Sequence, residues 1–368
     1  MPTIWYNSAG GITVGARARS NYLGMFEENQ LLLSYSLGAP GDDAEVQQLD
    51  FFARFKNPVW LRAPNQSQRL EAFRTEGRWG GLLGWERTLK DHLAFGPTWT
   101  EGASIRLVDI DNTAFLDPQQ YIDVGIVELM TTLGVKTRSG KWQLGGNLAL
   151  GGGLVFNRDG LAAVQPNLDQ FYFRGEVEGT ARRQVGKKLT FAGRLYGGVA
   201  TGAHTAAKQR QVYLGSSDPF AQLYNPLLRS EGALLVIDDV PYQAPGGGGV
   251  RAADFRISGP ALIAANVELE RTLAFRQKSK LFSRVSVAAF GDAAQGMGGP
   301  DQPTTGEALG FVADAGLGVR ASHKIGKTAF ITRFDFPFYL SEPAYSRNDF
   351  AQDDAFAFRW LFSVQAAF

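Results

Sequence analysis

Apolar residues recur at every second position along most of the chain, the period of a strand whose two faces meet different surroundings. In the last segment Phe356, Phe358, Trp360, Phe362, Val364, Ala366 and Phe368 share one face, and Ala357, Arg359, Leu361, Ser363, Gln365 and Ala367 share the other. The segment before it sets Phe330, Phe334, Phe336 and Phe338 against Lys327, Arg333 and Asp335. Trp142, Leu144, Leu148, Leu150, Leu154 and Phe156 lie opposite Lys141, Gln143 and Asn147, and Phe171, Phe173, Val177 and Ala181 lie opposite Tyr172, Arg174, Glu176, Glu178, Thr180 and Arg182. The alternation predicts fifteen strands, over about 11–22, 28–38, 45–57, 68–77, 78–90, 92–108, 121–136, 141–156, 170–184, 188–201, 258–272, 280–293, 307–323, 327–338 and 356–368.

Alternation alone does not separate a membrane sheet from a soluble one, because a soluble antiparallel sheet also has one apolar face. Length separates them better. Soluble strands usually run about 5–6 residues, whereas a tilted membrane strand needs about 9–11, and most of the segments above exceed that. Tight turns at Ser139-Gly140, Gly186-Lys187 and Gly326 alternate with long polar loops at 110–119, 203–257, 294–306 and 340–354, the loop asymmetry of an outer-membrane barrel. A propeller would show a repeat of about 40 residues, and none is visible. The expectation is an all-β chain: one transmembrane antiparallel β-barrel domain over 1–368. Single-chain barrels have an even number of strands, so a sixteenth is expected within 1–9 or 203–215.

Composition narrows the function. Lys+Arg 37 against Asp+Glu 36 gives a net charge of +1, which lacks the basic excess of a nucleic-acid binder. With no Cys, and with His92, His204 and His323 as the only histidines, the usual zinc signatures cannot be written, and neither disulfides nor a thiol nucleophile are possible. The first 20 residues hold no apolar run behind a basic start, so a leader or an upstream periplasmic or enzyme domain is expected ahead of Met1. Glu268, Glu270, Asp292, Asp314 and Asp335 fall on the polar phase of late strands with Arg284, Arg320 and Arg333. Such carboxylates serve either as general acid and base or as an ion-pair network lining a lumen, and the latter reading is preferred. The run Gly246 to Gly249 lacks the Lys-Ser/Thr and helix of a phosphate cradle and reads as a flexible loop. No catalytic residue, metal site or cofactor is expected, and the chain reads as a non-enzyme.

The C-terminal third carries a resemblance. Gly249-Val250-Arg251-Ala252-Ala253, Gly259-Pro260, Asn266-Val267-Glu268-Leu269-Glu270, Phe290-Gly291-Asp292-Ala293-Ala294, Gly316-Leu317-Gly318-Val319-Arg320 and Phe334-Asp335-Phe336-Pro337-Phe338 follow in order. They resemble the barrel signatures of the BamA/TamA-type outer-membrane superfamily, the bacterial surface antigen barrels. A weaker pattern of Gly-Xaa-Arg strands reaches back to Gly11. The resemblance implies sixteen strands and a long loop, here 203–257, that enters the lumen carrying Val250 and Arg251 at its tip. Ala252 and Ala253 stand where that pattern has Gly and an aromatic; Phe255 could supply the aromatic. Arg251 is then expected to pair with Asp292, with Glu268 as second partner and Asp335 in the same network. Trp360, Phe362 and the terminal Phe368 resemble the segment by which barrel assembly machinery recognises its substrates.

Two functions follow as expectations: a barrel in the outer membrane that assembles or translocates unfolded outer-membrane polypeptides, or a passive anchor or pore, such as the C-terminal barrel of a peptidase- or lipase-containing protein. The opening Ile4-Trp5-Tyr6-Asn7 is compatible with a junction to such a fused upstream domain.

Overall fold

The computed structural model describes residues 2–7, 9–20, 29–38, 48–58, 65–90, 96–156, 171–201, 207–223, 241–275, 283–297, 309–325, 328–348 and 351–366. The first strands are β1 (Pro2–Asn7), β2 (Gly11–Ser20), β3 (Asn29–Ser36), β4 (Leu49–Pro58), β5 (Gln66–Thr75), β6 (Arg78–Lys90), β7 (Thr98–Ile110) and β8 (Gly125–Ser139). There follow β9 (Trp142–Phe156), β10 (Phe171–Gln184), β11 (Leu189–Thr201), β12 (Val212–Tyr213), a short helix α1 (Pro219–Gln222) and β13 (Ser258–Gly259). The chain closes with β14 (Ala261–Phe275), β15 (Arg284–Gly296), β16 (Phe311–Ile325), β17 (Thr328–Leu340) and β18 (Leu361–Ala366).

Sixteen of these strands form one antiparallel sheet in sequence order, broken only where β12 and β13 pair with each other instead. The strand that the alternation left out is β1, six residues long and paired with β2. The segment expected as one strand over 258–272 is divided at Pro260. A proline has no N–H for a ladder, so Ser258–Gly259 serves the inserted loop and the chain joins the main sheet only at Ala261.

The last strand departs more. Its expected span was 356–368, but the ladder with β17 covers only Phe330↔Ala366 to Asp335↔Leu361, with a separate bridge at Tyr339↔Phe356. Two causes lie in the sequence. Pro337 of β17 removes a donor opposite the missing stretch, and Arg359 turns inward, fully buried, to donate to Ser346 Oγ, Ala351 O, Ala355 O and Asp354 O. Trp360, half-buried, precedes the strand and donates its N–H to Asn348 Oδ1 at 3.1 Å; Phe368 lies outside the described residues.

The two faces of the sheet differ as the alternation requires. Apolar side chains on one face remain exposed from strand to strand: Leu33, Phe55, Leu70, Leu83, Ile105, Leu129, Leu148, Phe173, Leu195, Ile263 and Leu317. The other face is covered in part: its buried members include Glu71, Glu128, Arg174, Asp292, Asp314, Arg320 and Asp335, while Gln143, Asn147, Thr180 and Arg182 stay exposed towards the β8–β9 and β10–β11 turns.

The covering is the segment between β11 and β14. Phe220 lies under Arg106 of β7, with the guanidinium carbon 5.7 Å from its ring. Three residues earlier, Ser217 N–H donates to Ala244 O at 3.1 Å, and the adjacent Gln243 N–H donates to Phe362 O of β18 at 2.9 Å. In a flat sheet β7 and β18 would stand about 43 Å apart, nine steps of roughly 4.8 Å. One loop cluster touching both therefore requires a sheet curled around it. The main buried cluster joins this loop to the strands, with Leu214, Val250, Ala252 and Ile257 packed among Val155, Tyr172, Tyr196, Leu262, Val312 and Leu340.

Candidate functional site within the curled sheet

Charge fixes the inserted loop at two places. At its base the turn Lys208–Arg210 brings Arg210 against β8, where Nε and Nη2 donate to the two oxygens of Glu128 at 2.6 and 2.8 Å. The fork geometry of guanidinium on carboxylate makes this a bidentate pair. Arg210 Nη1 also donates to Asp218 Oδ1 at 2.8 Å, while Arg174 of β10 donates to Asp218 Oδ2 at 3.0 Å and to the Arg210 carbonyl at 2.6 Å. Tyr172 O–H completes the cluster on Glu128 at 2.6 Å. Asp218 has a further duty as the cap of α1, accepting from the N–H groups of Phe220 and Ala221 at 2.9 and 3.2 Å. Burial pushes the Asp218 carboxyl up, but Arg174, Arg210 and Arg106 outweigh burial and hold it below the usual carboxylate range.

At the tip, Arg251 meets carboxylates of three strands: Glu268 of β14 at 3.0 Å, Asp292 of β15 at 3.3 Å and Asp335 of β17 at 4.0 Å. Its guanidinium carbon stands 4.0 Å over the ring of Phe290, so the aromatic beside Arg251 comes from β15. Phe255 is placed elsewhere, next to Arg256 at 5.5 Å. Burial opposes the charge of Arg251, yet Asp292, Asp335 and Glu268 overcome it and raise its pKa above the ordinary arginine value. Arg320 and Arg333 flank the same acids, Arg320 on Glu268 at 2.8 Å and Asp335 at 2.5 Å, and Arg333 on Asp335 at 3.1 Å.

Ala252 and Ala253 are fully buried. Ala252 N–H donates to Asp314 Oδ2 at 2.6 Å, which brings β16 into the network through backbone alone. Val250, also fully buried, donates its N–H to Leu214 O at 3.1 Å.

The glycine run is an ordered turn in place of the expected flexible loop. Gly246, Gly247 and Gly249 have φ of 139°, 55° and 69°, values that L side chains rarely adopt. A Cβ on Gly247 would also lie 2.2 Å from Ser216 O. The compact turn presents carbonyls to the wall: Gly247 O accepts from Arg194 at 2.7 Å, and Gly248 O from Asn266 at 3.2 Å.

Two further loops close over the insert. Between β7 and β8, Gln120 Nε2 donates to Phe255 O at 3.4 Å, and Gln209 bonds Ile122 through both its amide atoms. Between β17 and β18, Arg347 donates to three carbonyls of the insert, Arg251 O at 3.0 Å, Tyr242 O at 2.8 Å and Gly215 O at 3.3 Å. Burial lowers its pKa to about 10, opposed by Asp254 and Asp314, and it stays charged at neutral pH.

Of the residues singled out from sequence, Arg251, Glu268, Asp292 and Asp335 come together and Val250 packs beside them, while Trp360 and Phe362 lie apart near the last strand. The base network of Glu128, Arg174, Arg210 and Asp218 was missed, as was Arg347. The available signal was weak: Arg174 is one of several charges on the polar phase of its strand, nothing in the alternation ties it to Glu128 two strands away, and Arg210 and Asp218 sit in a loop without periodicity.

No protein-family model and no curated protein matches the sequence. Solved structures do match. CdiB from Escherichia coli is 13% identical with a TM-score of 0.55, over 100% of this chain and 62% of that one. CdiB from Acinetobacter baumannii is 12% identical with a TM-score of 0.50, over 99% and 58%. BamA from Haemophilus ducreyi lacking POTRA domains 1–3 is 14% identical with a TM-score of 0.47, over 99% and 69%. The chain thus spans under two thirds of the length of either CdiB. Its sixteen-stranded antiparallel sheet curled about an inserted loop has the all-β fold of the two CdiB structures.

Proposed function

We propose that the chain is an outer-membrane barrel domain of the BamA-type superfamily that helps polypeptides into or across that membrane, and that it is not an enzyme. The observation that carries this reading is the loop Arg251 held by carboxylates of β14, β15 and β17 inside a sheet whose opposite face is apolar on strand after strand. Soluble monomers rarely expose continuous apolar patches above a few hundred Å², and lipid is the solvent that such a face suits.

Its partners in this reading are outer-membrane lipid, the barrel assembly machinery that inserts it through Trp360, Phe362 and Phe368, and unfolded polypeptide clients. The test uses purified protein in liposomes with a urea-unfolded, radiolabelled eight-stranded outer-membrane barrel protein as probe. The expected outcome is a folded, protease-resistant fraction that appears several-fold faster than in protein-free liposomes. Equal rates would favour the second reading, a passive anchor or pore.

A further inference from the structure

The short last strand has a partner on its outer side. Phe362 gives neither its N–H nor its C=O to β17: the N–H donates to Pro241 O at 2.8 Å, and the C=O accepts from Gln243 N–H at 2.9 Å. Tyr242 thus forms a parallel bridge with Phe362, and their rings meet edge to face at 6.0 Å. The bridge is parallel, as is the one between Gly11 of β2 and Gly38, whereas the ladders between strands of this sheet are antiparallel. In an edge strand, alternate residues aim both backbone groups away from the neighbouring strand. Phe362 is one of these, and Val364 follows in the same phase. The inserted loop therefore lies across the edge by which β18 would pair with any further strand.

The segment is buried and fastened by bonds to three elements. Beyond the two to Phe362, Arg347 holds Tyr242 O at 2.8 Å and Gln243 Nε2 donates to Gly215 O at 2.9 Å. Arg347 reaches from this segment to Arg251 O at the tip, so release of the tip and release of the edge are mechanically linked. A three-residue strap is a small fraction of the ladders that join the long strands, and an incoming strand could make more backbone bonds than it replaces.

We propose that Pro241–Gln243 is a built-in stand-in for a strand. It occupies the outer edge of β18 and must leave before that edge pairs with an extended segment of another polypeptide. The inference rests on the transport reading above, but its test reads edge pairing and not transport. The parent chain lacks cysteine, so Tyr242→Cys with Phe362→Cys supplies the only thiols. The probe is a fluorescent peptide copying Phe356–Ala366, and the readout is its binding to purified barrel in detergent.

Oxidation should form the crosslink, and the oxidised lock should bind the peptide about tenfold more weakly than the reduced form, the worth of one or two net hydrogen bonds. Gln243→Pro deletes the donor to Phe362 and should bind the peptide more tightly than Gln243→Ala, which keeps it. That second comparison decides the matter if the cysteine variant does not fold. Absence of a crosslink in folded protein, or peptide binding indifferent to the lock and to Gln243→Pro, overturns the proposal. A lock that controls peptide binding in a barrel that accelerates no client folding would leave the strap standing and remove the transport reading alone.

Discussion

At its base, the inserted loop gives Arg210 and Asp218 to the wall and meets Glu128 and Arg174 there; at its tip it gives Arg251 alone to Glu268, Asp292 and Asp335. The base is reciprocal, with loop and strands each supplying both signs. The tip is one-sided, and its acids are shared with Arg320 and Arg333 from the strands themselves. Loss of Arg210 therefore leaves Glu128 with no other ion pair among the described residues, whereas loss of Arg251 leaves Glu268 and Asp335 still paired with Arg320 and Arg333. The base reads as a fixed anchor and the tip as the fastening that can yield.

The largest expected effect follows from this contrast. Arg210→Ala strands Glu128 and half of Asp218 in a buried site, and breaking such a pair costs about 3–5 kcal/mol. The temperature at which the unheated gel band converts to the unfolded mobility should fall steeply. Next comes the apolar face: Leu195→Arg, on an exposed side chain of β11, should cost roughly 2–4 kcal/mol if that position meets the membrane middle. An unchanged midpoint in lipid would remove the membrane assignment. Arg251→Ala ranks third, at about 1–3 kcal/mol for the groups it leaves unsatisfied. A larger loss than that of Arg210→Ala would invert the ranking of base and tip.

The smallest effect is on pH. Asp218 is held below its usual range, so its contribution is complete above the unfolded carboxylate value near 3.9 and is lost as pH falls through the lower folded value. The difference in midpoint between the parent and Asp218→Asn should be constant from neutral pH to about 5 and should shrink only in stronger acid. A difference that vanishes near pH 6 would contradict the pairing at the base.

The tip was legible in the sequence and the base was not, for a physical reason. Glu268, Asp292 and Asp335 are carboxylates on the polar phase of regular strands, so alternation alone aims them inward, and the motif around Arg251 marks what they meet. Arg210 and Asp218 acquire positions only from the path of an aperiodic loop, through the cap on α1 and the turn at 208–210. The strands obey the same division. Ten- to fifteen-residue ladders such as β6 and β9 announce themselves by period, whereas β1 is too short to show one and β12 exists only because Ser258–Gly259 lies beside it. At β18 the alternation persisted through 356–360, but Pro337 and the inward turn of Arg359 ended the ladder there.

The central claim is that the loop tip lies inside the curled sheet with Arg251 on Asp292. A double-mutant cycle on Arg251→Ala and Asp292→Ala, read as the thermal midpoint of the folded protein, tests it most directly. Residues in one network couple by about 0.5–3 kcal/mol, so the double variant should be less destabilised than the sum of the single ones by that amount. Strict additivity would place Arg251 away from Asp292 and contradict the account.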